Sequence, residues 1–219
     1  MIEAVVSDFG GVLTSPLMQG FARIQADTGV PADAFGVALA RATATDGRNP
    51  LFELEVGAIT EDRFLATLER ELEAGLERPV ALHGFGERYM AALEPNEALF
   101  AHYRALHARG IRMALLTNNV REWEPLWRSK LPVDEIFETV VDSGFVGLRK
   151  PDPAIYALLL ARLALPASAC VFVDDIKVNV DAARALGFAV VHFQDTEQAI
   201  AELDRLLPPQ LSEPSRSQQ

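Results

Sequence analysis

The sequence is poor in cysteine, in basic residues and in long apolar runs, and each shortage excludes a class of protein. Cys170 is the only cysteine among 219 residues, so no disulfide forms within the chain. The 20 lysines and arginines against 31 aspartates and glutamates give a net charge of −11, which argues against a nucleic-acid or anionic-membrane partner. No apolar run is long enough to span a bilayer, and no basic and apolar leader precedes the first strand. We therefore expect a cytoplasmic protein.

The sequence does contain a short apolar segment that ends in an aspartate followed by glycines. Residues 2–7 read as a buried strand, and Asp8 comes directly after it, ahead of Gly10 and Gly11. Open α/β proteins bind their ligands at the carboxyl ends of parallel strands. Glycines at such a turn let the backbone approach a bound anion closely. Asp8 is therefore the first candidate functional residue, although an aspartate at a turn or helix cap is the plain alternative.

Two later segments also place polar groups after apolar ones. Thr117 and Asn118 follow the strand predicted at 111–116, and Lys150 stands before Pro151, which holds its backbone extended. A threonine hydroxyl and the next backbone N–H are donors for a phosphoryl oxygen. Taken alone, Thr117 could instead be the N-cap of a helix, and a lone loop lysine is normally solvated.

The acidic pair Asp174–Asp175 follows another apolar strand, predicted at 169–173. Adjacent carboxylates repel each other unless a cation or a proton lies between them. Oxygen ligands that leave room for water suit Mg²⁺. Spacing favours Asp175 as the direct ligand, with Asn179 one helical turn further on to support it. A cluster of charge at a helix N-terminus would explain Asp174 but not both residues.

The order of predicted elements indicates an α/β fold with a doubly wound parallel sheet, because strands alternate with helices from about residue 84 onward. Residues 16–85 read instead as helices without a strand, and Thr60 is the predicted N-cap of one of them. This insertion is too long for a βα loop and is predicted to be a small helical cap domain. The core is then residues 1–15 and 86–207, and residues 208–219 are predicted to be disordered. The helices predicted in the core are 97–109, 122–130, 153–163, 178–186 and 196–207, with later strands at 139–142 and 189–193.

The strips DFGGVLT, LLTNN, GLRKPDPAIY and FVDDIKVNV, in this order and with a helical insertion after the first, resemble the haloacid dehalogenase-like hydrolases. The sequences of these strips are most similar to those of the branch that contains the N-terminal phosphatase domain of soluble epoxide hydrolase and the hydrolase-like domain fused to some acyl-CoA dehydrogenases. The resemblance covers residues 1 to about 205 and implies a Rossmann-like core.

The resemblance also implies roles for individual residues. Asp8 would be the nucleophile that takes up a phosphoryl group as an aspartyl-phosphate. Mg²⁺ would be held by Asp8, by the backbone carbonyl of Gly10 and by the acidic pair Asp174 and Asp175. The Thr117 hydroxyl and the Asn118 N–H would bind the phosphoryl group, and Lys150 would neutralise its charge.

One position departs from the family pattern. Phosphatases of this family carry a second aspartate two residues after the nucleophile, and this chain has Gly10 there. Glycine cannot protonate a leaving group, and a positioned acid contributes about 10²–10⁴-fold. Either the substrate has a good leaving group, or a cap residue such as Asp46 or Glu55 supplies the proton, or the protein binds phosphate compounds with little turnover.

The leading hypothesis is a Mg²⁺-dependent hydrolase of a small phosphorylated metabolite, and two alternatives stay open. A phosphate-binding or regulatory protein without turnover is favoured by Gly10. A hydrolytic dehalogenase is disfavoured by the acidic pair, because a halide leaves without help from a metal. Within the cap, Arg48 is the candidate for contacting an anionic substrate. The sequence leaves the oligomeric state open.

Overall fold

The computed structural model describes residues 1–207, so the predicted disordered tail lies outside the described residues. Five strands form one parallel sheet in the order β3-β2-β1-β4-β5. The strands are β1 (Ala4–Ser7), β2 (Arg112–Thr117), β3 (Phe137–Asp142), β4 (Cys170–Asp174) and β5 (Ala189–His192). The predicted α/β class and doubly wound parallel sheet are confirmed, and the strand that carries Asp8 is the central one.

Helices cover both faces of the sheet because successive strand residues point to opposite sides. The helices are α1 (Met18–Thr28), α2 (Ala32–Asp46), α3 (Pro50–Glu55), α4 (Glu61–Leu76), α5 (Phe85–Ala91), α6 (Glu97–Ala108), α7 (Glu124–Arg128), α8 (Ser143–Val146), α9 (Pro153–Leu163), α10 (Lys177–Ala185) and α11 (Thr196–Leu206). Val5 and Leu115 pack in one apolar cluster with α6 and α11, while Val6 and Leu116 pack in a second cluster with α9 and α10. This two-sided burial fixes the register of the sheet and the direction of its carboxyl edge.

The short helices were not predicted. The helices α3, α5 and α8 have six, seven and four residues, which is too short for apolar periodicity to be recognised. The helix predicted at 122–130 is instead a 3₁₀ turn, Arg121–Trp123, followed by α7, with Pro125 in its first turn. Proline favours the first turn of a helix because it has no N–H to donate.

The helices α1 to α5 follow β1 and lie beyond its carboxyl end. Phe21 of α1 packs edge-on against Tyr89 of α5, with ring centroids 5.2 Å apart. The chain leaves and re-enters the sheet along two adjacent segments, since the Ser15 N–H donates to the Glu94 carbonyl (2.7 Å) and the Glu94 N–H to the Ser15 hydroxyl (3.0 Å). The helix α5, which starts at the predicted boundary near residue 85, packs on the inserted helix α1. The division into cap and core remains our prediction.

Among residues 1–207, no helix is both long enough and apolar enough to cross a membrane.

Candidate active site

Asp8 lies at the carboxyl end of the central strand and is almost buried, with 8% of its surface exposed. Its N–H donates to the Val173 carbonyl (2.8 Å), which continues the pairing of β1 with β4 past the end of the strand. The Phe9 N–H donates to Asp8 Oδ1 (2.7 Å), so the carboxylate is turned toward the glycine turn. Behind it, the Ser7 hydroxyl donates to the Asp8 carbonyl (2.7 Å) and accepts from Tyr103 (3.1 Å). The candidate nucleophile is held by fixed neighbours on both sides.

Lys150 joins the predicted site residues. Its ammonium lies 2.9 Å from Asp8 Oδ1 and 2.7 Å from Asp174 Oδ2, and only 1% of its side chain is exposed. A buried ammonium between two carboxylates is compensated on both sides, and its hydrogen bonds are of the strong charge-assisted kind. The structure thus brings Asp8, Lys150 and Asp174 into one charged cluster.

Asn118 holds the backbone of Lys150 from the neighbouring strand end. Its side-chain amide donates to the Lys150 carbonyl (3.0 Å), and the Lys150 N–H donates to its side-chain oxygen (2.8 Å). Sequence reasoning considered only the backbone N–H of Asn118 and missed this side-chain pair, because no local pattern relates residues 118 and 150. Thr117, the last residue of β2, is buried at the same edge of the sheet.

The two residues of the acidic pair have different hydrogen-bonding environments. Asp174 is fully buried and accepts from Lys150, from the Ile176 N–H (2.8 Å) and from Asn179 (3.1 and 3.2 Å). The prediction that Asn179 supports Asp175 is therefore wrong. Asn179 faces Asp174 because the buried side of α10 is turned toward β4, and a spacing of four residues does not reveal that direction.

Asp175 differs from Asp174 in the hydrogen bonding of its carboxylate. Its Oδ1 is buried and has no hydrogen-bond partner among the described residues, whereas every Asp174 oxygen is engaged. A side chain on Gly11, whose φ is +78°, would collide with the Asp175 carboxylate. The glycine therefore lets the turn after Asp8 pass directly over Asp175. The imidazole Nε2 of His192 lies 3.1 Å from the Asp175 carbonyl, a neighbour that the sequence did not indicate.

These carboxylates fit a divalent cation. Asp8, Asp174 and Asp175 each offer an oxygen, and the three oxygens lie within 4.8 Å of one another. An unpaired buried carboxylate oxygen is costly unless a cation or a proton satisfies it. Hard oxygen donors are the ligands that Mg²⁺ prefers, so the donor set fits that ion, with Asp8 and Asp175 as the carboxylates best able to hold it.

Burial sets the direction of the pKa shift for two carboxylates of the site, and neighbouring charges set it for Lys150. Burial raises the pKa of Asp8 to about 7, against the opposing effect of the Lys150 ammonium. Burial also raises the pKa of Asp175, and the charge of Asp174 adds to that rise. For Lys150, burial alone would lower the pKa, but Asp174 and Asp8 outweigh it and raise the pKa above the usual value. Lys150 therefore stays charged, and a cation beside Asp8 would favour its ionised form.

Of the cap residues considered from the sequence, only Glu55 comes near this edge. Its carboxylate accepts from Arg149 (2.6 Å), the neighbour of Lys150, and its side chain is 16% exposed. Arg48 is 78% exposed and lies 3.4 Å from Glu53, and Asp46 is exposed at the end of α2. Glu55 lines the cavity that lies beside Asp8, and Arg48 and Asp46 do not.

Comparison with known proteins identifies the family. A model of haloacid dehalogenase-like hydrolases matches residues 2–187. Mouse acyl-CoA dehydrogenase family member 10 is 39% identical over 47% of this chain, and the match covers 9% of that protein. Pig bifunctional epoxide hydrolase 2 is 25% identical over 96% of this chain, and the match covers 40% of that protein. Phosphatase MT3486 of Mycobacterium tuberculosis is 31% identical, with 85% of this chain and 84% of that protein covered. A solved structure described as a predicted HAD-like family hydrolase from Porphyromonas gingivalis is 25% identical, has a TM-score of 0.71, and covers 96% of this chain and 100% of its own.

The family match spans the strand that bears Asp8, the Lys150 loop and the acidic pair, so it includes every residue of the charged cluster. This match confirms the family resemblance that the four strips indicate. This chain belongs to the haloacid dehalogenase-like hydrolases.

Proposed function

We propose that this protein is a Mg²⁺-dependent phosphatase of a small phosphate ester, with Asp8 as nucleophile. The observation that carries the proposal is the charged cluster, in which Lys150 bridges Asp8 and Asp174 while Asp175 keeps a free buried oxygen. The mycobacterial relative, which this chain matches over most of its length, is named a phosphatase. Asp8, the Gly10 carbonyl and Asp175 are the groups we assign to the metal.

When bound, Mg²⁺ supplies positive charge that screens Asp8 from an anionic substrate. A carboxylate oxygen of Asp8 attacks phosphorus, an aspartyl-phosphate forms, and the bond from phosphorus to the leaving oxygen breaks. The leaving group takes its proton from water, because Gly10 has no side chain to give one. Water then attacks phosphorus, releases inorganic phosphate and restores the Asp8 carboxylate. Lys150 lowers the cost of the negative charge that gathers at this edge, and the Thr117 hydroxyl and Asn118 N–H are the donors we assign to the phosphoryl oxygens.

The test replaces the nucleophile without changing its size. Asp8→Asn should abolish phosphate release from an aryl phosphate, because an amide is a far weaker nucleophile than a carboxylate. The matched control is Asp181→Asn, which replaces an exposed carboxylate on α10 and should leave the rate unchanged. Both variants should melt within a few degrees of the wild type. Phosphate release by Asp8→Asn at the wild-type rate would exclude the covalent mechanism.

A second variant tests the metal. Asp175→Asn should weaken Mg²⁺ binding measured by calorimetry and reduce phosphate release in proportion. Unchanged Mg²⁺ affinity in this variant would move the metal to other ligands.

Gly10 favours one competing function, a phosphate-binding protein without turnover. The two functions differ in one measurement, since both should bind beryllofluoride in the presence of Mg²⁺ but only a phosphatase releases phosphate. Assaying halide release from 2-haloacids in the same experiment tests the dehalogenase alternative.

A further inference from the structure

A cavity of about 190 Å³ lies between the inserted helices and the carboxyl edge of the sheet. It begins at Gly10 and Asn118, beside the charged cluster, and extends among the helices α1, α2, α4 and α5. Apolar side chains form nearly all of its wall, among them Phe21, Phe35, Phe64, Leu68, Phe85 and Trp123. A site that held only a phosphorylated polar metabolite would need partners for the hydroxyl groups of that metabolite, and this wall offers very few.

The aromatic side chains of the wall pack closely on one another. Phe21 and Phe35 pack with ring centroids 5.5 Å apart, and Phe85 stacks on Trp123 at 6.1 Å. These rings meet in the tilted and offset arrangements that aromatic pairs prefer. Water gains little in such a space because it finds too few hydrogen-bond partners there. The cavity is therefore suited to a compact apolar group.

At the cavity end nearest Asp8, the apolar side chain of Leu17 stands beside the polar residues Thr14, Asn118 and Asn119. A Cβ on Gly10 would lie 3.1 Å from a methyl carbon of Leu17, so Leu17 occupies the space into which a side chain at position 10 would extend. Glu55 is the one carboxylate in the wall, and Arg149 compensates its charge at 2.6 Å. The esterified group of a substrate whose phosphorus lies at Asp8 would thus extend past Leu17 toward the apolar part of the cavity.

We propose that the substrate is a phosphate ester whose esterified part is a compact apolar group of about six to eight carbon atoms, such as a ring or a short chain. This inference rests on the proposed phosphatase function and names its substrate class. The size follows from comparison with an apolar cavity of ~150 Å³ that holds benzene. A cavity of about 190 Å³ has room for slightly more than one such ring.

The test measures binding by the wild-type protein in the presence of Mg²⁺, using phosphonates, whose carbon–phosphorus bond replaces the ester bond. Calorimetry with methyl-, butyl-, hexyl-, phenyl- and dodecylphosphonate should show affinity rising about fourfold per methylene up to the hexyl compound. Phenylphosphonate should bind about as well as hexylphosphonate, and dodecylphosphonate should bind no better. Equal affinity for methyl- and hexylphosphonate would overturn the proposal.

This design separates the two proposals because phosphonate binding needs no turnover. If affinity rises with chain length but no phosphate ester is hydrolysed, the apolar site stands and the phosphatase function fails. If esters are hydrolysed at rates independent of the size of their apolar group and phosphonate affinity is flat, the phosphatase stands and the apolar site fails.

A pair of variants on α2 locates the site. Leu39 lines the cavity, whereas Val37 on the same helix is 52% exposed and does not. Leu39→Trp should lower hexylphosphonate affinity at least tenfold and leave methylphosphonate affinity within twofold. Val37→Trp should change neither value. Equal losses in the two variants would overturn the assignment to this cavity, and if Leu39→Trp does not fold, the wild-type series still decides.

Discussion

Gly10 is the residue that most separates this chain from phosphatases with a built-in acid. Its φ lies outside the left-handed region, so a side chain there meets no backbone strain. A Cβ would press only on the flexible end of Leu17. The backbone therefore permits a side chain at position 10, but Leu17 must move by a few tenths of an ångström to make room for it.

We expect wild-type protein to hydrolyse aryl phosphates far faster than alkyl phosphates of similar size, because an aryl oxide leaves without a proton. Gly10→Asp should raise the alkyl rate most, by up to the ~10²–10⁴-fold that a positioned acid contributes. The measurement is the ratio of cyclohexyl to phenyl phosphate turnover in the two proteins, with Gly10→Asn as the matched control. A wild-type ratio near one would show that another group already supplies the proton, and Glu55 is the first candidate for that group.

Asp142 is a second residue whose environment is unusual. It ends β3, caps α8 through the Gly144 N–H (2.9 Å), and keeps a buried Oδ2 without a partner among the described residues. Burial raises its pKa to about 6, the Gly144 N–H opposes that rise, the charge of Glu124 adds to it, and Trp127 and Arg128 oppose it more weakly. The carboxyl therefore holds its proton more tightly in the folded than in the unfolded protein.

This raised pKa predicts a stability change with the sign opposite to that of a salt-bridged aspartate. Between pH 4 and 6 the folded state binds more protons at Asp142, so the free energy of unfolding contributed by this group falls as pH rises through that window. The loss is roughly 2–3 kcal/mol at most, for a shift of about two pKa units. Asp142→Asn keeps the cap acceptor and should be more stable than wild type at pH 7 but not at pH 4. Urea titrations at both pH values measure the difference, and an equal difference at both would contradict the assignment.

Much of the candidate site was predictable at the residue scale because Asp8, Asn118 and the acidic pair stand at the carboxyl ends of apolar strands. Asp8, Asp174 and Asp175 come together because parallel strands end at one edge, and Lys150 joins them. The partner of Asn179 and the side-chain role of Asn118 were not predictable. Both depend on directions set by packing between segments far apart in the sequence.

At the scale of elements, the strands and the long helices after residue 96 were predicted to within a few residues, whereas α2 extends seven residues beyond Leu39, where its end was predicted. The turn after α3 makes a contact that no sequence pattern reveals. Gly57 has a φ of +67°, and a Cβ there would collide with the Gly144 carbonyl and the Arg121 guanidinium. Arg121 also donates to the Gly144 carbonyl (2.9 Å). The inserted helices therefore press backbone to backbone against α8, a contact that only glycine permits.

Gly57→Ala should lower the free energy of unfolding by about 1–3 kcal/mol, through left-handed strain and the collision with Gly144. Gly36→Ala is the matched control, since Gly36 lies within α2 and a Cβ there meets nothing within 4 Å. That change should raise the free energy of unfolding by about 0.5–1 kcal/mol. Chemical denaturation of both variants tests the pair, and equal effects would contradict the contact.

At the scale of the whole molecule, Arg149 ties the inserted helices to the sheet. It donates to Glu55 (2.6 Å), and its guanidinium lies 3.8 Å from the centre of the Phe52 ring. Because the side chains of Arg149 and Glu55 are 23% and 16% exposed, this ion pair is shielded more than the surface pairs of the chain.

Glu55→Gln should lower the free energy of unfolding by about 1–2 kcal/mol, since a charge-assisted bond in a partly buried site is lost. Glu135→Gln serves as control, because Glu135 pairs with Arg104 on the surface with 58% of its side chain exposed. Its effect should stay within about 0.5 kcal/mol. Urea unfolding measures both, and a larger loss in Glu135→Gln would show that the Glu55–Arg149 contact contributes little to stability.

The central position of β1 has a consequence for how the protein is made. β1 leaves the ribosome about a hundred residues before β2 and still longer before β4, the two strands that flank it. At ~5–20 residues per second, this apolar strand waits for seconds with both edges unpaired, while the helices of residues 18–91 have already been synthesised. Pairing of β1 with β2 becomes possible once residue 117 has emerged, whereas the carboxylates of the candidate site can meet only after residue 175 has emerged.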